Sequence, residues 1–169
     1  KNWFFVFIGN VIGSLFVAYF FAKVGGLLST GSAASYIVNI ANGKIEMEWI
    51  EAFWRGVGCN WLVGIAIWMS VATDRLVGKI VAIWWPIMAF VAIGFEHSIA
   101  NTFFIPAGIF VGGAESYTGV NLIVSWKTFI IDNLIPVTLG NIFGAVVFVS
   151  LAGWFIFSRN NKSNLNESA

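Results

Sequence analysis

The chain has 169 residues, of which 59% are hydrophobic and only 10% charged, with a formal net charge of +1. A soluble domain carries about 25% charged residues, so this shortfall, together with long uncharged runs, reads as an integral membrane protein rather than a large soluble core. The basic residues are scattered singly and form no stripe, which excludes nucleic acid as a partner.

Lys1-Asn2 leads at once into an apolar run, with no cleavage-site pattern of a secretory signal. With no initiator methionine either, the chain is expected to be part of something longer. Residues 3–28 form the first candidate span, with Asn10 early and Lys23 late, where a lysine can reach the interface. Gly9, Gly13 and Ser14 put small residues on one helix face, a packing device that lets backbones approach in lipid. Residues 29–43 are polar and rich in Gly and Ser, and predict a loop or short surface helix. Residues 44–51 carry Lys44, three glutamates and Trp49, the mouth of a second span over residues 52–72. Residues 73–79 are a tight charged turn.

Residues 80–111 are too long for one simple crossing. They contain Pro86, Gly94, Pro106 and Gly108, and in their middle lies Glu96 beside His97, the one histidine of the chain. The pattern predicts two half-helices broken around Glu96-His97. Ionisable groups at membrane depth cost several kcal/mol and persist where they face a polar cavity or a transport path. Irregular backbone there is tolerated when it is protein-buried or lines a cavity. A half-helix starting near Ser98 would aim its positive dipole end at the membrane middle, a geometry suited to anions. His97 could add a donor or, once protonated, a full charge; it and Glu96 could equally neutralise each other. A lone histidine excludes paired haem ligands and a zinc cluster, and no metal or cofactor is expected. Residues 112–127 read as a polar loop, and residues 128–157 as the last span.

One internal repeat organises these elements. Ile8-Gly9-Asn10-Val11-Ile12-Gly13-Ser14-Leu15 matches Leu139-Gly140-Asn141-Ile142-Phe143-Gly144-Ala145-Val146 in pattern. Three spans follow the first copy, and an odd number per repeat inverts the repeats in the membrane. The expected division is residues 1–28, the last span of a first repeat; 29–51, an extramembrane connection; 52–157, a second repeat with its broken span around 94–101; and 158–169, a polar cytoplasmic tail. Arg75, Lys79, Arg159 and Lys162 fall on one side, which positive charge assigns to the cytoplasm; Lys44 and Arg55 on the other side weigh weakly against it.

Asn60 and Asn101 sit in apolar surroundings, either as interhelical hydrogen-bonding amides or as polar groups of a path. Lys44 is either a solvated interface lysine or a device that concentrates anions. Phe90 and Val63, taken alone, read as packing residues.

At these residues the sequence resembles the formate/nitrite transporter family. The likeness runs through Gly58-Cys59-Asn60-Trp61-Leu62-Val63, Gly94-Phe95-Glu96-His97-Ser98-Ile99-Ala100-Asn101, Phe104-Ile105-Pro106 and Asp132-Asn133-Leu134-Ile135-Pro136. It implies an all-α, aquaporin-like bundle of six spans in two inverted repeats, about four of them present here, assembled as a homopentamer with one pore per subunit. It implies passage of small monovalent anions such as formate, nitrite or hydrosulfide, a pore histidine at His97 with Glu96 before it, asparagines at Asn60 and Asn101, a vestibule lysine at Lys44, and apolar constrictions at Phe90 and Val63. The family's first two spans have no counterpart, so the chain is expected to be a fragment or to be completed by a separate chain. The expected location is the bacterial cytoplasmic membrane. Two other readings stand beside this one: a membrane-anchor subunit of a respiratory enzyme using Glu96-His97 as a proton relay, and a structural subunit with no pathway.

Overall fold

The computed structural model describes residues 1–113, 119–156 and 158. Among them every regular element is a helix: α1 (Asn2–Val24), α2 (Gly31–Ile45), α3 (Trp49–Val71), α4 (Leu76–Ile93), α5 (Ser98–Gly112) and α6 (Trp126–Ile156). Helices α1, α4 and α6 are long and apolar enough to cross a membrane, and α5 is a shorter apolar helix. The 23 residues of α3 reach about 34 Å at the α-helical rise, although Glu51, Arg55 and Asn60 make it less apolar. Turns widen to π spacing over Val17–Val24 in α1 and over Phe129–Leu134 and Gly144–Leu151 in α6. Helix α6 starts at a capping box, in which Ser125 Oγ accepts the Thr128 N–H and Thr128 Oγ1 accepts the Ser125 N–H.

The chain forms two compact units. The first holds residues 1–52 and 97–138. Its centre is α2 against α5, where Ile37, Val38 and Ala41 of α2 and Ile105, Ala107 and Val111 of α5 are buried. Gly108 permits the approach, because a Cβ there would overlap the Ala41 Cβ. Of the loop and the surface helix expected over residues 29–43, the helix is what is seen, as α2, with one face buried. Its Gly and Ser content suggested a solvated strip, yet Ala34, Ile37, Val38 and Ala41 fall at helical spacing and form a buried face.

The second unit holds residues 53–96 and 139 onward. Here α6 lies close against α3. A Cβ on Gly140 would overlap the Phe53 carbonyl oxygen, and one on Gly144 the Val57 carbonyl oxygen. Trp61 stacks on Phe148, ring centroids 5.0 Å apart. Residues 114–118 of the expected polar loop, and residues 159–169 of the expected tail, with the Arg159 and Lys162 of the orientation argument, lie outside the described residues.

Candidate functional site

The break falls where the sequence placed it, between Ile93 and Ser98. Helix α4 ends because Gly94 adopts φ +81°, a left-handed conformation open to glycine at little cost. The Gly94 N–H then donates to Val91 O at 3.2 Å and the Phe95 N–H to Phe90 O at 3.0 Å. These two bonds make a Schellman cap, which satisfies carbonyls that the ended helix leaves open. Phe90, expected to form an apolar constriction, thus lends its carbonyl to the cap.

In the second unit the strand of backbone after Gly94 is tied down by α3 and α6. Arg55 Nη1 donates to Gly94 O at 3.1 Å, and the Glu96 N–H donates to Arg55 O at 3.3 Å. Asn141 Nδ2 donates to both Glu96 O and Gly56 O, each at 2.9 Å. Glu96 and Asn141 are buried. Irregular backbone at such a place needs its polar groups met by protein, and Asn141 and Arg55 meet them. Asn60 and Val63, one helical turn apart on α3, line one cavity of about 330 Å3 with Gly64, Ala145, Val149 and Ser150. Asn60 Oδ1 is buried there with no hydrogen-bond partner among the described residues. Phe90 is not among the residues lining that cavity.

In the first unit His97 is the N-cap of α5. Its backbone is extended, and its Nδ1 accepts the Ala100 N–H at 3.3 Å. This fills the capping role usually taken by Ser, Thr, Asp or Asn. A neutral imidazole accepting at Nδ1 carries its proton on Nε2, so the cap sets the tautomer. A doubly protonated ring has two donors and no acceptor, so protonation must release the Ala100 N–H.

Asn101 is almost fully buried and its Nδ2 donates to Asn133 Oδ1 at 2.8 Å. Asn133 Nδ2 in turn donates to Lys44 O at 2.9 Å. The chain of amides links α5 through α6 to the last turn of α2, so Asn101 and Lys44 are brought into one network. The Lys44 Nζ lies 5.8 Å from the Phe104 ring centroid, a cation–π distance. Asn133, Asn141 and Arg55 were not singled out in the sequence. Asn141 carried a signal, its place in the repeat; Asn133 carried only its membership of the quoted Asp132-Asn133 segment.

The model for the formate/nitrite transporter family matches residues 1–155. The chain belongs to that family. A probable formate transporter of Methanothermobacter thermautotrophicus is 44% identical, over 93% of this chain and 59% of its own length. The formate channel FocA of Escherichia coli is 37% identical over 95% and 60%, and the nitrite transporter NirC of the same organism 36% over 92% and 54%. Among solved structures, a pentameric formate channel with formate bound superposes with a TM-score of 0.83 at 33% identity, over 92% of this chain and 65% of that one. The chain therefore spans about three fifths of the length of the curated relatives it matches. Its fold is the all-α, aquaporin-like fold of the family's channels, and it is a multi-pass membrane protein of a transport family rather than an enzyme.

Proposed function

We propose that the protein passes small monovalent anions of weak acids across the membrane, formate or nitrite first among them, as a homopentamer in a bacterial cytoplasmic membrane. The observation that carries this reading is the family match over residues 1–155. Relatives described as formate channel and nitrite transporter, and a pentameric formate channel of the same fold, support the substrate class and the assembly.

The proposed path uses the residues singled out in the sequence. Lys44 raises the local anion concentration by long-range attraction. Phe90 and Val63 act as apolar necks, which disfavour the charged form because desolvating an anion shifts it toward its neutral acid. His97 in its neutral state donates from Nε2 to the anion. When the ring takes a second proton from solvent, Nδ1 lets go of Ala100 and the site becomes cationic. Transfer of the Nε2 proton to the anion yields the neutral acid and leaves a proton on Nδ1; solvent takes that proton and supplies one to Nε2 as the cap re-forms. Asn60, whose Oδ1 is buried, is a further polar group of the proposed path. Glu96, Asn60 and Asn101 hold or relay the His97 donor.

The test is flux of formate, nitrite and hydrosulfide into liposomes holding the complete protein, at two pH values. Formate or nitrite entry well above that of empty liposomes is expected. Rates equal to empty liposomes for all three anions would remove the reading.

A further inference from the structure

Lys44 is fixed at its backbone. It stands in the last turn of α2, where the negative end of the helix favours a cation. Its carbonyl accepts from Asn133 Nδ2 at 2.9 Å, and Asn133 Oδ1 accepts from Asn101 Nδ2 at 2.8 Å. Two positions earlier, Asn42 ties the same turn to the segment before α6. Its Nδ2 donates to Asn121 O at 2.8 Å, and its Oδ1 accepts the Ile123 N–H at 3.2 Å. The end of α2 is therefore anchored by two amides. A lysine side chain is a flexible four-carbon stem, so an anchored backbone does not by itself place the charge.

Phe104 supplies what the backbone leaves open. The Lys44 Nζ lies 5.8 Å from its ring centroid, within the range of a cation–π contact. Phe104 stands three positions after Asn101 on α5, and so on the same face of that helix. Helix α5 meets Lys44 twice, at the carbonyl through Asn101 and Asn133, and at the ammonium through the Phe104 ring. The ring is itself seated, half-buried and lining an apolar cavity of about 340 Å3 with Ile37, Ile40 and Phe103. His97 starts the same helix, which puts histidine and ring about 10 Å apart along its axis. An aromatic ring carries a quadrupole and no net charge, so it holds an ammonium without cancelling the field that reaches an anion.

We propose that Phe104, which has no part in the path described above, is a positioning residue for anion entry. Its ring face seats the Lys44 ammonium, so the charge stands at one height on α5 relative to His97 instead of sweeping through the volume its stem can reach. This rests on the reading of Lys44 as the residue that attracts the anion, and adds what keeps that charge in place.

The experiment measures formate entry into liposomes holding the complete protein at low ionic strength, with half-saturating concentration and maximal rate read separately. Phe104 is replaced by leucine, by tyrosine and by trifluorophenylalanine, with Lys44 present and in the Lys44→Ala background. Trifluorophenylalanine keeps the shape of the ring and weakens its negative face, so packing is preserved while the cation–π contact is lost. With Lys44 present, it and Phe104→Leu should raise the half-saturating concentration by about two- to fivefold, the shift an exposed cation–π contact sustains, and lower the maximal rate by less. Phe104→Tyr keeps a π face and should stay near wild type. In the Lys44→Ala background the same replacements should add no further deficit. Wild-type half-saturation with trifluorophenylalanine would overturn the proposal, as would an equal deficit without Lys44, since Phe104 would then act by packing alone. Wild-type entry in Lys44→Ala by itself would remove the Lys44 reading, and the positioning of its charge with it.

Discussion

The backbone N–H of Ala100 donates to Nδ1 of His97 at 3.3 Å, so the ring singled out as the chemical centre also starts helix α5. The two roles separate by substitution. His97→Asn keeps an acceptor in a position where asparagine caps well, whereas His97→Leu forfeits about 1 kcal/mol of capping. Thermal unfolding of the complete protein should place the asparagine variant near wild type and the leucine variant below it, with proton-coupled flux lost in both. Equal stability of the two variants would show that the cap contributes nothing.

The pairing of Asn101 with Asn133 predicts coupled costs. Asn133→Leu removes the bonds that Asn133 makes to the Asn101 Nδ2 and the Lys44 carbonyl. Leaving a buried polar group unmet costs about 1–3 kcal/mol. The double variant Asn101→Leu with Asn133→Leu should cost less than the sum of the single ones, because the two share one bond. Denaturant unfolding in detergent measures it, and strict additivity would contradict the network.

Gly94 should tolerate substitution in a graded way. A Cβ there would sit 3.5 Å from Arg55 Nη1, an ordinary contact, so the cost is conformational. Gly94→Ala should destabilise by about 1–2 kcal/mol, the penalty of a left-handed L-residue, and Gly94→Asn by less. A fall of the unfolding midpoint in that order is the expected result.

Lys44 offers a salt test. If it acts by attraction at a distance, Lys44→Ala slows anion entry most at low ionic strength, and the deficit shrinks as salt screens the charge. Lys44→Arg should restore entry. A deficit that is the same at every salt concentration would assign Lys44 a structural part only.

Much of this architecture could be read from residue pattern. Long apolar runs marked α1, α4 and α6, and a histidine beside a glutamate among prolines and glycines marked the break that Gly94 and His97 now close from either side. What escaped was anything set by partners distant in sequence. Residues 29–43 read as a polar stretch, while their buried face depends on α5, some 70 positions on. Asn133 and Arg55 serve carbonyls at Lys44 and Gly94, and no local spacing announces such a bond. Asn141 could have been found, since a repeat that keeps an amide between two glycines implies a backbone to clamp. The π-spaced turns of α1 and α6 had no warning in composition.

In the proposed path His97 couples anion and proton. The most direct measurement of that coupling is simultaneous formate and proton uptake into liposomes containing the complete protein, wild type against His97→Phe, at acidic and neutral pH. Proton uptake that accompanies formate is expected in the wild type, and a folded variant in which the two are uncoupled. Coupled uptake in His97→Phe with the same pH dependence as wild type would contradict this role of His97.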